Sequence, residues 1–271
     1  MKNIHIFLHE FWLFGLKQAY ASIFGAILLF FILGTHFYYP ENFLKISGFF
    51  EFSLSRYDFL FFVAIITQIL LLAFKLEEWR EFRVIILFHF VGLAMEIFKL
   101  QMGSWSYPES GFFEIAGVPL FTGFMYSAIG SYIARAWKIF DFKFTHFPSL
   151  KIFTILSVFI YANFFLHHFI PDYRIFLFLA VIFLLRKSWI FFTIDSIPRK
   201  MPTLLAAFLF SFFIWIAENI GTFANAWTYP NQELGWELVS LPKLGSWFLL
   251  MIISFVIVAW EYMPKKTTIH R

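Results

Sequence analysis

Most charged residues of this chain fall in short gaps between apolar blocks, and the blocks are long enough to cross a lipid bilayer. They occupy residues 21–38, 58–75, 84–99, 113–137, 152–169, 175–192, 203–220 and 242–260. Crossing the hydrocarbon takes about 20 predominantly apolar residues. In lipid each backbone N–H and C=O must be satisfied within its own segment, so each block is expected as a helix. Charged residues make up 14% of the chain, where a soluble domain carries about 25%. The expected fold is therefore all-α: a polytopic membrane helix bundle of about eight transmembrane helices. Residues 1–271 are read as one integral membrane domain, and a soluble fold is excluded. Pro40, Pro108, Pro148, Pro171, Pro198, Pro202 and Pro230 fall in the connecting segments.

The N-terminal stretch is a poor signal peptide, because His5, His9, Glu10 and Lys17 interrupt its apolar run. Phe7, Phe11, Trp12 and Phe14 instead suit one side of an interfacial helix. Placing the N-terminus in the cytoplasm leaves only Lys45, Arg56, Lys99, Arg174 and Lys243 on the far side. The other sixteen of the 21 Lys and Arg residues, Lys265, Lys266 and Arg271 included, then lie inside. This positive-inside asymmetry predicts a multi-pass protein of the inner (plasma) membrane with both termini cytoplasmic. The net charge of +4 is read as membrane-surface anchors, so membrane lipids are the expected partners and nucleic acid is not. The sequence does not specify an oligomeric state.

One motif occurs twice. Glu96 leads through Gly103 to Trp105-Ser106-Tyr107-Pro108, and Glu218 leads through Asn225 to Trp227-Thr228-Tyr229-Pro230. Glu, Trp, Tyr and Pro recur at identical spacing, and each copy reaches a proline at the next helix, Pro119 and Pro242. With 10 Trp, 11 Tyr and 10 Pro in 271 residues, a chance match at all these positions is improbable. Four blocks per half keep the halves in one orientation. Residues 21–137 and 152–260 are thus expected to form two parallel four-helix repeats about an axis along the membrane normal.

The glutamates carry the candidate chemistry. At 1.5 Å per residue each lies about 18–22 Å along its helix from the inner interface, in the outer part of the membrane. An acid at that depth must face the bundle interior and find a partner. Lys99, three residues after Glu96, is the expected partner in the first half; Gly221 stands at that position in the second, with Asn219 beside the acid. A glutamate with a cation and one without are expected to divide into base and acid. Glu96 and Glu218 are therefore the candidate catalytic pair. Lys99, Trp105, Tyr107, Asn219, Trp227 and Tyr229 are candidate substrate-binding residues, all facing one outer-leaflet cavity.

Cysteine is absent, which excludes thiolate nucleophiles and Cys-ligated metals. His167 and His168 are adjacent, and neighbouring residues on a helix point about 100° apart, so with Asp172 they are not expected to chelate. His5 and His9 are spaced for chelation but lack a third ligand. No metal or other cofactor is expected.

The runs Glu96-Ile97-Phe98-Lys99, Gly103 to Pro108, Pro119-Leu120-Phe121 and Gly130-Ser131-Tyr132 resemble a bacterial integral-membrane family, domain of unknown function 817. Residues 217–222 and 226–230 resemble it too. That likeness implies a membrane fold and no particular activity. The chain is also similar to small membrane carotenoid cyclases and hydratases, which follow an acidic helix with Gly-x-aromatic-x-Tyr and a Gly-Val-Pro-Leu turn, here Gly103 to Tyr107 and Gly117 to Leu120. This second likeness implies protonation of a polyene, with aromatic faces steadying the cation. The cyclases place paired acids after the Leu-Pro turn, where this chain has Phe121-Thr122 and Lys243-Leu244.

Three functional classes follow. One is a membrane enzyme acting on an isoprenoid or other lipid with Glu96 and Glu218 as acid and base. Another is a small-solute or proton-coupled transporter. The third is a structural or assembly protein without turnover.

Overall fold

The computed structural model describes residues 2–39, 45–46 and 52–263. Pro40, Lys265, Lys266 and Arg271 lie outside the described residues. Helix α1 (Lys2–Ala21) meets α2 (Ile23–Tyr38) at a 72° bend at Ser22, whose hydroxyl donates back to the Gln18 carbonyl. A short antiparallel pair, β1 (Lys45–Ile46) and β2 (Phe52–Ser53), precedes α3 (Arg56–Ala73) and α4 (Trp79–Gln101). Next come a hairpin of β3 (Glu114–Ile115) with β4 (Val118–Pro119), then α5 (Phe121–Ile139) and β5 (Lys143–Thr145). The second half holds α6 (Leu150–Leu166), α7 (Arg174–Leu185), β6 (Trp189–Thr193), β7 (Pro198–Pro202), α8 (Thr203–Phe223) and α9 (Leu241–Tyr262).

Every apolar block contains a helix, so the all-α polytopic fold stands, but the expected number of spans does not follow from helix lengths. Among the described residues, only α3, α4, α8 and α9 are individually long and apolar enough to cross a membrane; the bent pair α1–α2 makes a fifth, and α6 and α7 are shorter. Two blocks were not single helices. Residues 113–120 form the β3–β4 hairpin before α5 starts. Block 175–192 breaks at Leu185, and Trp189–Thr193 enters an antiparallel sheet in the order β5-β6-β7. An apolar run rich in aromatic and β-branched residues reads alike as helix or strand. Here the 12 residues of α7 and the flanking prolines of β7 settle it as helix, turn and edge hairpin.

Helices in lipid approach closely where a small residue lies in the contact. Gly92 of α4 faces Tyr126 of α5, and a Cβ there would stand 2.6 Å from the tyrosine ring. The main core joins Val84 and Phe88 of α4 and Ile133, Ala134 and Trp137 of α5 to Phe255, Val258 and Ala259 of α9. A second cluster joins α6, α7 and α9 through Phe153, Val181, Leu185 and Ile252. The buried Arg135 is paired with a buried glutamate. Arg135 Nη2 lies 3.2 Å from Glu77 Oε1, which also accepts from Ser131, while Gln68 donates to the other Glu77 oxygen. Burial pushes the Glu77 carboxyl up, with Arg135, Gln68 and Ser131 pulling it back.

Arg56, at the start of α3, ties the halves together. Its Nη2 donates to the Ile32 carbonyl at 3.1 Å and to the Ala224 carbonyl just past α8 at 2.6 Å. Its Nη1 donates to Glu109 at 2.8 Å and its Nε to the Thr35 hydroxyl at 3.0 Å. Tyr57 adds a bond to the Ala226 carbonyl at 3.1 Å. The Ala224 carbonyl stands at the end of α8, where the helix itself supplies no donor. Arg56→Met should cost on the order of 3 kcal/mol, because it orphans buried acceptors while keeping the side-chain volume. The measurement is the detergent-solubilised melting temperature; a shift within error would show that these bonds contribute nothing net.

Candidate functional site

The two motifs close their helices in the same way. After α4, the amides of Met102, Gly103 and Ser104 donate to the carbonyls of Phe98, Leu100 and Lys99, each at 3.0 Å. After α8, the amides of Ala224, Asn225 and Ala226 donate to Ile220, Thr222 and Gly221, again at 3.0 Å. Gly103 (φ 66°) and Asn225 (φ 50°) hold the left-handed position, which Gly and Asn adopt most readily. Each turn sends the chain back over its own helix end. Ser106 and Thr228, corresponding residues of the two motifs, then meet as an antiparallel bridge and exchange both backbone hydrogen bonds at 2.9 Å. The bridge brings the ends of α4 and α8 together, and with them the two glutamates.

Both carboxyls are buried, Glu96 and Glu218 each being 5% exposed. Glu96 Oε2 accepts from Trp105 Nε1 at 2.7 Å and from the Tyr107 hydroxyl, and Oε1 accepts from the Tyr126 hydroxyl at 2.7 Å. Glu218 accepts from the Tyr229 hydroxyl on Oε1 and from Trp247 Nε1 on Oε2. An indole N–H only donates, so one oxygen of each acid must present a lone pair. Burial first, then the neighbouring carboxylate, holds the Tyr107 and Tyr229 hydroxyls well above the usual phenol range. Both tyrosines therefore keep the proton they donate.

The expected pairing of Lys99 with Glu96 is not made. Lys99 Nζ lies 2.8 Å from His168 Nε2, 3.3 Å from His167 Nε2, and 4.3 Å from the ring centre of Phe164. His167 Nδ1 is 2.9 Å from the Asn163 carbonyl, which can only accept. The ring proton is thus on Nδ1, and Nε2 is free to accept from the lysine. Nor is Glu218 the acid without a cation. Lys243, at the start of α9, stands 4.0 Å over the Tyr229 ring and within electrostatic reach of Glu218. The proposed division of roles by Lys99 alone falls with this geometry. Spacing of three residues puts two side chains on one helix face, but a four-carbon stem lets the ammonium choose another partner on that face.

A cavity of about 880 Å³ takes in both acids. Glu96, Lys99, Trp105, Tyr107, Glu218, Trp227 and Tyr229 all line it. Asn219 does not; its side chain bonds the Trp215 carbonyl and the Val239 amide and holds the loop before α9. Trp227 plays no part in binding Glu218. Its ring packs on Gly221, where a Cβ would come within 2.2 Å of it, and Trp247 supplies the indole donor instead. Tyr126, Trp247, Lys243 and Arg174 were not singled out from the sequence as site residues, and all four line the cavity. Extending the motif comparison one or two turns past Pro119 and Pro242 would have reached Tyr126 and Trp247. Along α8 the lining runs from Thr203 to Glu218, about 22 Å at 1.5 Å per residue, and beyond the motif end the walls are mostly apolar.

Comparison with known proteins agrees on one family. The family model described as "Protein of unknown function (DUF817)" matches residues 10–255. The chain is 43% identical over 246 residues to "Uncharacterized protein YoaT" of Bacillus subtilis (strain 168), covering 91% of this chain and 89% of that one. Neither match carries the likeness to carotenoid cyclases and hydratases. No solved structure matches.

The His167–Lys99 contact sets a pH dependence. Burial first, and then the Lys99 charge, hold the His167 imidazole below its ordinary range, against the pull of the Asn163 carbonyl. A depressed folded value means that the unfolded chain takes the proton first, so stability falls as pH drops below about 6.5. The melting temperature should fall between about pH 7 and 5.5, and His167→Gln, which keeps an acceptor for Lys99, should flatten part of that slope. Identical slopes in the two proteins would exclude His167 as a contributor.

Proposed function

The chain belongs to the DUF817 family, and we propose that it is an integral membrane enzyme performing acid–base chemistry on a lipid or isoprenoid. The observation that carries this reading is the presence of two buried carboxyls, Glu96 and Glu218, on the wall of one largely apolar cavity. One carboxyl delivers a proton to the bound molecule and the other accepts one, with Tyr107, Tyr126 and Tyr229 orienting them. Trp105, Trp227 and Trp247 offer aromatic faces along the wall, suited to a cationic intermediate. No cofactor is needed for proton transfer of this kind.

The assay is conversion of a membrane lipid extract by the protein in vesicles, followed by mass spectrometry. Glu96→Gln and Glu218→Gln keep shape and an acceptor oxygen while removing the titratable proton. Each should lower conversion by about 100-fold or more with folding retained. Conversion surviving in both variants would make the acids structural. Accumulation of an unchanged solute in the vesicles, lost in the same variants, would assign the proton-coupled transport reading instead.

In this reading the protein is a multi-pass protein of the bacterial inner membrane, with both termini cytoplasmic and two parallel repeats over residues 21–137 and 152–260. Matched helix closures and a bridge between corresponding residues support the repeat, since pairing of like with like is what a two-fold axis produces. Lys and Arg distribution supports the orientation. The chain has no cysteine, so single cysteines report cleanly. Ser110→Cys should react with an impermeant thiol reagent in intact cells and Ser149→Cys should not. The reverse pattern, or labelling of both, would overturn the orientation.

A further inference from the structure

Two cations at the motif end of the cavity, Lys99 and Lys243, have no carboxylate within ion-pair distance among the described residues. Lys99 is 4% exposed, and the groups around its ammonium, two imidazoles and a phenyl ring, carry no negative charge. Its two histidine contacts leave one N–H undirected. Lys243 sits over the rings of Tyr229 and Trp105, at 4.0 and 5.2 Å. Glu218 attracts it from nearby, but the hydrogen bonds on Glu218 come from Tyr229 and Trp247 and not from Lys243. Arg174 pairs with Asp172 at 3.1 Å and lines the same space. Lys99 feels repulsion from Lys243 and Arg174 and a smaller pull from Asp172. Two cations without an ion pair, gathered at one cavity end beside a third, favour an anion between them.

The rest of the cavity is the opposite in character. From the motif end it follows α5 and α8 toward Phe140, Phe142 and Phe192, a path of about 22 Å beside α8. That is longer than the depth of one leaflet, about 15 Å of a 30 Å hydrocarbon core. Its volume lies within the range that holds one small ligand, about 300–1,000 Å³. One end binds charge and the remainder binds a chain.

We infer that the cavity takes a single-chain amphiphile with an anionic headgroup, a phosphate or carboxylate on a long acyl or prenyl chain, its head between Lys99, Lys243 and Arg174. This rests on the enzyme reading above and names its substrate class. The headgroup then lies beside Glu96 and Glu218, and the first carbons of the chain lie against the aromatic wall.

Tryptophan fluorescence of the protein in zwitterionic phosphatidylcholine nanodiscs reads binding, because Trp105, Trp227 and Trp247 line the site. Hexadecyl phosphate or hexadecanoate should give a saturable change. Hexadecanol should bind at least tenfold more weakly, and inorganic phosphate alone should give no change. Lys243→Met and Lys99→Met should each weaken the anionic probe at least tenfold and leave hexadecanol unaltered. Should Lys99→Met not fold, the partly exposed Lys243 and the wild-type comparison of probes still decide. Equal affinity for alcohol and anion would overturn the headgroup assignment, and a saturable response to inorganic phosphate but not to hexadecyl phosphate would overturn the chain. Tight anionic binding without turnover leaves this inference standing and removes the enzyme reading; turnover of an uncharged lipid only does the reverse.

Discussion

A carboxyl group inside a membrane bundle is tolerated only when donors surround it, and the motif end of this protein is organised around meeting that requirement twice. The donors are brought by the chain itself. In each motif a left-handed residue seven positions after the glutamate turns the chain back, and four residues later a tyrosine hydroxyl reaches the same glutamate. An indole completes each shell. The turn, the loop and the bridge between Ser106 and Thr228 thus follow from one electrostatic need. The ends of α4 and α8 are held together because their acids are satisfied by loops that also pair with each other.

The two copies diverge where the cavity needs them to. Lys99 in the first is Gly221 in the second, and the missing side chain gives Trp227 its place against α8. Displaced from the acid, that indole leaves Glu218 to Trp247 from α9. The arginines that open α3 and α7 part in a similar way. Arg56 spends its donors on carbonyls of α2 and the end of α8, fixing the frame, whereas Arg174 reaches the cavity. Two matching motifs with unlike side chains leave a pocket polar at one end and largely apolar along its length.

Much of this was legible in the residue order because it depends on patterns that a one-dimensional chain records. Apolar blocks located the helices, and identical spacing located both acids and their tyrosine partners. What escaped depends on choices made in three dimensions. Lys99 shares a face with Glu96, yet its ammonium lies on His167 and His168, brought by the distant end of α6. Tyr126 reaches Glu96 from α5 only because Gly92 admits its ring. The β6 strand was hidden inside an apolar block, since hydropathy does not separate strand from helix. Helix lengths, set by where turns fall, likewise decide how many segments can span.

The cavity itself is also written in the sequence, as a pattern of small residues. Interiors normally pack to the density of organic crystals, leaving few voids larger than a water molecule. A chain with 44 phenylalanines has ample bulk to fill the bundle. Yet α2 turns Ser22, Gly25, Ala26 and Leu29 toward the space, at the i, i+3, i+4, i+7 spacing of one helix face. Beside it, α5 contributes Ala128 and Ala136, and α8 contributes Ala206, Ala207 and Ala217. Aromatic rings share the wall along its whole length, from Phe164 beside Lys99 through Phe210 and Phe213 of α8 to Phe140, Phe142 and Phe192 at the end away from the acids. Small side chains on neighbouring helices make the room, and the charged groups are gathered at one end. A packing defect has no reason to place small residues at helical spacing on one face or to collect charge at one end.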